Sequence, residues 1–254
     1  MISSGVLLGL CAAAFGAGVV DAIAGGGGLI TLPALLAAGL PVNVAIATNK
    51  GQSTVGPASA LVRFVRAGTV DKHRATVTFP LGLLGALGGA TVVLTVSPRA
   101  LKPVVLGLLA LVALVLAVRR DLGVRPLGPP PRGAVVFAGV IALAVGFYDG
   151  FFGPGTGTFL IMAFVSWLHD PMDRASANAK VVNLASNVAA LTLFALHGTV
   201  LWRIALPMAG AQALGSFTGA GLAIHRGDRF VRGVVLGVVV VLVGKLAHDL
   251  VVGR

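Results

Sequence analysis

The sequence predicts an all-α, polytopic membrane fold built from two inverted repeats. Three observations predict it: an apolar composition, apolar runs long enough to cross a bilayer, and a residue pattern that recurs once. Hydrophobic residues make up 57% of the 254-residue chain and charged residues 11%, against about 25% charged in an ordinary soluble domain. So few polar side chains cannot cover a water-facing surface. Val104–Val118 reads VVLGLLALVALVLAV and Val234–Val243 reads VVLGVVVVLV; with their flanks these runs reach about 20 residues, enough to cross roughly 30 Å of hydrocarbon. The recurrence has a constant offset of 130: Pro98–Ala117 aligns with Asp228–Ala247, Gly68-Thr69-Val70 with Gly198-Thr199-Val200, and Lys50 with Lys180.

The elements follow in order. One transmembrane domain, 1–254, divides into repeat 1 at 4–118, a linker at 119–132, and repeat 2 at 133–250. In repeat 1 an apolar helix of about Ser4–Ala24 ends in a glycine cluster. The next apolar piece, about Leu29–Leu40, is too short to cross alone. Full-length helices then run about Asn43–Val65, Thr76–Val96 and Leu101–Val118. The linker, RRDLGVRPLGPPPR, has prolines and charges that exclude a helix in lipid. Repeat 2 reads the same way: about Gly133–Phe152, a short piece Thr158–His169, then Ala175–Leu196, Ile204–Ile224 and Phe230–Leu250.

Charge sets the orientation. The net charge of +11 lies mostly in short loops, which is a topology signal rather than a nucleic-acid surface. Arg63, Arg66, Lys72 and Arg74 share one loop, whose partner His197–Arg203 holds only Arg203. Pro98–Lys102 holds Arg99 and Lys102, whereas its partner His225–Arg232 holds Arg226, Arg229 and Arg232. The positive-inside rule places the Arg63–Arg74 loop, the linker and the His225–Arg232 loop in the cytoplasm. Equivalent loops then fall on opposite sides, as in inverted-repeat transporters. Each first helix and its short piece must return to its starting side, which makes a re-entrant hairpin. Six full spans and two hairpins result, with both termini outside an inner (plasma) membrane.

The remaining signals narrow the class. A single cysteine, Cys11, excludes an intramolecular disulfide. Met1–Ala17 lacks the basic start of a signal peptide. No metal spacing such as HExxH, no nucleotide motif and no catalytic carboxylate pair or Ser/His/Asp set is visible, so neither an enzyme, a metal nor a cofactor is expected.

The polar residues inside the apolar segments are the candidate site. The turns Gly25-Gly26-Gly27-Gly28 and Gly153-Pro154-Gly155-Thr156-Gly157 let a backbone approach a ligand closely. The helix after each turn aims its positive end at it; the alternative is tight helix packing. Asn49, Lys50 and Gln52, and Asn178, Lys180, Asn183 and Asn187, lie within long apolar helices, where a charge is costly and usually functional. The lysines either neutralise an anion or snorkel to the interface. Asp21 and Asp149, each four residues before its turn, either pair with the lysines or carry protons. Gln212, Pro80 and Pro207 read as kink or helix-end residues, and Trp167, Trp202 and Tyr148 as interfacial or packing aromatics.

Asp21 to Pro33, DAIAGGGGLITLP, followed by Ala47-Thr48-Asn49-Lys50, closely resembles the first-half signature of the sulfite exporter TauE/SafE family. Tyr148 to Thr158, YDGFFGPGTGT, followed by Ala177-Asn178-Ala179-Lys180 and Asn183, is similar to its second-half signature. The resemblance implies a multi-pass permease for sulfite, sulfonates or related small anions, and none of these motif residues selects among them. The expectation is therefore a secondary transporter of a small oxyanion, organosulfonate or carboxylate, working by alternating access around a midplane site. A passive anion channel and a non-transporting scaffold are the alternatives. The expected partners are the anion and the lipid bilayer, not nucleic acid, with self-association left open.

Overall fold

The computed structural model describes residues 3–118, 128–129 and 131–225. The linker 119–132, apart from its last few residues, the Arg226–Arg232 charges and the expected helix Phe230–Leu250 lie outside them. The helices are α1 (Ser4–Ala24), α2 (Gly28–Ala37), α3 (Val42–Ser53), α4 (Val55–Arg66), α5 (Lys72–Thr95), α6 (Pro98–Val118), α7 (Ala134–Phe151), α8 (Thr156–Leu168) and α9 (Met172–Leu196). A further helix, α10, spans 202–225. The all-α expectation holds: no strand occurs among the described residues.

Local chemistry sets the ends. The Ser3 hydroxyl accepts from Val6 N at 3.4 Å to cap α1, and Gly25, at φ +76°, terminates it. Asp71 caps α5 by accepting from Arg74 N at 3.1 Å. Pro41 and Pro171 precede α3 and α9 with extended backbone. One expectation needs correction: Asn43–Val65 is not a single helix but is interrupted at Thr54. Pro57 has no N–H for the Ser53 carbonyl and its ring crowds that carbonyl; the Thr54 hydroxyl turns back to donate to Lys50 O at 2.7 Å. Asn187 stands where a second such proline would fall, and α9 runs unbroken for 25 residues.

Among the described residues α1, α5, α7 and α9 are long and apolar enough to cross a membrane. Large apolar side chains project outward, among them Leu8, Val136, Leu196 and Leu214, a surface that suits lipid and not water. Trp167 is 65% exposed and Trp202 43%, as interfacial aromatics would be.

The α1–α2 pair leaves and returns to one end, with Ser3, Val6 and Leu7 lining the same hollow as Ala37–Pro41 and Val200–Ile204. The α7–α8 pair does so at the other end, where His169 Nδ1 lies 3.2 Å from Pro129 O. The two turns meet in the interior: Thr158 N donates to Gly25 O at 3.3 Å. A Cβ on Gly25 would overlap the Gly157 backbone, and one on Gly157 would lie 2.7 Å from Gly25 O. Only paired glycines permit this crossing.

Small residues also bring the long helices together. On α5, a Cβ at Gly85 would lie 2.8 Å from Phe147 N and one at Gly89 2.6 Å from Phe151 N, both on α7. On α10, a Cβ at Gly215 would lie 2.9 Å from Phe15 C and one at Gly219 2.9 Å from Val19 Cα, both on α1. Gly85 and Gly89 stand 130 residues before Gly215 and Gly219. A second repeated contact joins the helix ends: Asp71 N donates to Asn178 Oδ1 at 2.9 Å, and Leu201 N to Thr48 Oγ1 at 3.1 Å. Near Asn178 the buried pair Arg74–Asp170, 2.6 Å apart, adds a charged clasp. At the opposite end Leu40 and Ile204 belong to an apolar cluster instead.

Candidate functional site

Four charges are buried around the crossing turns. Lys50 is 1% exposed, Lys180 0%, Asp149 3% and Asp21 8%. They form two ion pairs, Lys50–Asp149 and Lys180–Asp21, each 2.7 Å long. Each lysine takes its carboxylate from the other half of the chain, across 99 and 159 residues. Removing one partner of such a pair strands the other charge, a loss of about 3–5 kcal/mol. By helical rise Lys50 and Lys180 each lie about 12 Å from the start of α3 and α9.

The two pairs differ in their surroundings. Asp149 Oδ1 accepts from Lys50 Nζ and, at 2.9 Å, from Thr156 Oγ1. Its Oδ2 accepts from the Ser186 hydroxyl. Asp21 Oδ1 accepts from Gly27 N at 3.3 Å and its Oδ2 from Lys180 Nζ, which also donates to Asp21 O. Lys180 is thus wrapped around the end of the first hairpin, whereas Lys50 bonds only Asp149 among the described residues.

A small cavity of about 30 Å³ lies between the turns, the scale of one or two water molecules. Of the residues singled out from sequence, Asp21, Gly25, Gly28, Asn49, Lys50, Asp149, Gly153, Thr156, Gly157, Asn183 and Asn187 line it. The first turns of α2 and α8 therefore face it, and helix starts favour negative charge.

Gly26, Gly27, Gln52, Gly155, Asn178 and Lys180 are not on the wall. Gly27 holds the Asp21 carboxylate, and Gly155 turns the chain into α8 at φ +84°. Gln52 donates to Asn49 Oδ1 at 2.9 Å, an oxygen that also accepts from Thr31 Oγ1 at 2.6 Å. Asn178 belongs with Asp71, Arg74 and Asp170 at the end of the bundle.

Three wall residues lie outside the sequence-derived set: Ser53, Pro57 and Gln212. Ser53 Oγ donates to Asn187 Oδ1 at 3.1 Å, tying α3 to α9. Gln212, expected at a kink or helix end, is 2% exposed, and its Oε1 and Asn183 Oδ1 are buried without a partner among the described residues. A neutral amide in mid-span was the available signal.

The family model described as sulfite exporter TauE/SafE matches residues 10–246. The chain is 36% identical over 233 residues to "Probable membrane transporter protein YfcA" of Escherichia coli (strain K12), covering 92% of this chain and 86% of that one. It is 35% identical over 247 residues to "Probable membrane transporter protein ORF9" of Sinorhizobium sp, with 94% and 92% covered. It is also 34% identical over 235 residues to "Probable membrane transporter protein" of Haemophilus influenzae, with 92% of each covered. No solved structure matches the chain.

Proposed function

Because the chain belongs to the sulfite exporter TauE/SafE family and is a membrane transporter, we propose that it is a secondary carrier of a small anion with its site at the crossing of the two glycine turns. The observation that carries this reading is the cavity held between two buried, reciprocal lysine–aspartate pairs. Lys50 supplies positive charge, the first turns of α2 and α8 supply backbone donors, and Asn49, Asn183 and Asn187 supply neutral hydrogen bonds. Gln52 and Lys180 act by holding wall residues in place.

The architecture of the proposal is two inverted repeats with re-entrant hairpins α1–α2 and α7–α8. The opposite ends to which the hairpins return, and the glycine seams and end contacts that recur 130 residues apart, support it. One end carries Arg66, Lys72, Arg74, Arg132 and Arg174, and the other Arg99, Lys102 and Arg203. This favours a cytoplasmic placement of the first end in an inner membrane. A cavity of only about 30 Å³ favours a carrier that closes around its cargo over an open pore, and favours a compact oxyanion as that cargo.

Purified protein in liposomes takes up labelled sulfite under this reading. Lys50→Ala and Lys180→Ala each cut the flux at least severalfold while the protein remains in the membrane. Wild-type flux in both variants rejects the site.

A further inference from the structure

We propose that this site moves its anion together with one proton, that Asp149 carries the proton, and that Lys50 rather than Lys180 meets the anion. The inference rests on the reading of the cavity as an anion site, and adds its coupling and the division of labour between the two pairs.

Charge balance comes first. With all four groups ionised, two ammonium and two carboxylate groups cancel. A monoanion entering this buried, neutral cluster leaves an uncompensated negative charge, which is costly away from water. A proton that binds one carboxylate with the anion removes that cost. The carboxyl becomes neutral, its ammonium turns to the anion, and the loaded site carries the same total charge as the empty one. Nothing else need be consumed or released.

Partner chemistry selects the carboxylate. Asp21 is held by Gly27 N–H and the Lys180 ammonium. Both are donors only, so neither can accept from the O–H of a protonated carboxyl. Asp149 is held by Lys50 and by two hydroxyls, Thr156 and Ser186. A hydroxyl can donate or accept. Each of these two also has a second acceptor within reach: Gly153 O is 2.6 Å from Thr156 Oγ1, and Asn183 O is 3.1 Å from Ser186 Oγ. When Asp149 gains a proton, either hydroxyl can turn its hydrogen to that carbonyl and accept from the carboxyl. The site thus satisfies Asp149 in both protonation states, whereas among the described residues a protonated Asp21 finds no acceptor for its hydrogen.

The same contrast separates the lysines. Lys180 is off the cavity wall and gives two hydrogen bonds to Asp21. Lys50 is on the wall with one bond to Asp149 among the described residues, so two of its three N–H donors are free for an anion. The groups facing Asp149 are Lys50 from α3, Thr156 from α8 and Ser186 from α9, with Asp21 and Lys180 across the turns. Tyr148, next to it on α7, donates its hydroxyl to Pro154 O at 2.6 Å. The ionisable groups of α5, namely Lys72, His73 and Arg74, are confined to its first turn. Arg99 and Lys102 of α6, and Arg203 and His225 of α10, also sit at helix ends, and Arg63 of α4 lies over Phe217.

The test uses the full chain in liposomes with the membrane potential clamped. Methanesulfonate is the main probe, because its charge does not change with pH, and sulfite is run beside it. Expected are acidification of the lumen as anion enters, one proton per anion, and about tenfold accumulation for an inward gradient of one pH unit. Asp149→Asn exchanges internal for external anion at a reduced rate and no longer responds to the gradient; Lys50→Ala loses both. Lys50-dependent exchange that ignores the gradient and moves no protons overturns the inference and leaves the anion site standing. Gradient sensitivity that survives in Asp149→Asn and vanishes in Asp21→Asn overturns the choice of carrier. Failure of both anions to move at any gradient overturns the site and this inference together. If Asp149→Asn does not fold, the wild-type proton count decides the coupling and Asp21→Asn decides the carrier: a gradient response kept in Asp21→Asn supports Asp149, and one lost there overturns it.

Discussion

Substituting Gly25 by alanine tests the contact on which the site is built. Gly25 has φ +76°, a conformation that costs an L-residue with a Cβ roughly 1–2 kcal/mol. Its new methyl would also overlap Gly157 C and Cα and Thr158 N, all of them backbone. No rotamer can relieve this, so the hairpin turns must separate and the Thr158 N to Gly25 O bond must open. Overpacking of this kind adds about 1–3 kcal/mol. Gly39 is a matched control, with φ +85° and, among the described residues, no atom within 4 Å of the place its methyl would take; Gly39→Ala therefore meets the backbone cost alone. Gly25→Ala should melt below Gly39→Ala in detergent by about 2–4 °C for each kcal/mol of the difference, and should lose transport. Equal midpoints for the two variants would show that the turns do not bear on each other as described.

Further outcomes follow from other contacts. Asp149→Asn strands Lys50 and should cost about 3–5 kcal/mol, read as a lower thermal midpoint, whereas Lys50→Met with Asp149→Asn should recover much of it without restoring flux; a double variant no more stable than the single one counts against the pair. Gly85→Leu and Gly215→Leu should each wedge a helix seam apart and lower the yield of monodisperse protein, while Gly210→Leu, with nothing within 4 Å among the described residues, should not; equal yields would refute the seams. Burial pushes the Asp170 carboxyl above its ordinary 3.8, against the opposing hydrogen bond and charge of Arg74. The folded chain therefore keeps that proton to higher pH than the unfolded chain, and the contribution of Asp170 to stability declines as pH rises above about 4. Asp170→Asn should flatten that part of the profile of midpoint against pH; an unaltered slope would exclude Asp170 as its source.

The helix positions were readable wherever punctuation is local. Ser3 and Gly25 bound α1 at the expected residues. The interruption at Thr54 had its signal in Pro57, but an unbroken apolar stretch on either side masks a single proline. The candidate charges were equally readable, since Asp21, Lys50, Asp149 and Lys180 stand out in apolar helices. Their pairing was not: which carboxylate meets which lysine depends on contacts across 99 and 159 residues. Asn178 reads as a site residue because Lys180 is two positions away, yet neighbours two apart face different sides of a helix, and its amide serves Asp71 and Asp170 instead. Gln212 reaches the cavity because α10 packs on α1, a contact set by Gly215 and Gly219 rather than by any motif around the glutamine.

The reciprocal pairing has a consequence for biosynthesis. When the ribosome has made only the first 118 residues, Asp21 and Lys50 are both in place and neither has its counter-ion, because Asp149 and Lys180 are still unmade. A nascent chain at that stage carries two naked charges in its apolar segments and a hairpin turn with nothing to cross. Membrane integration must shelter these groups until the remainder arrives. Separately expressed fragments divided between 118 and 133 should accumulate only when made in the same cell.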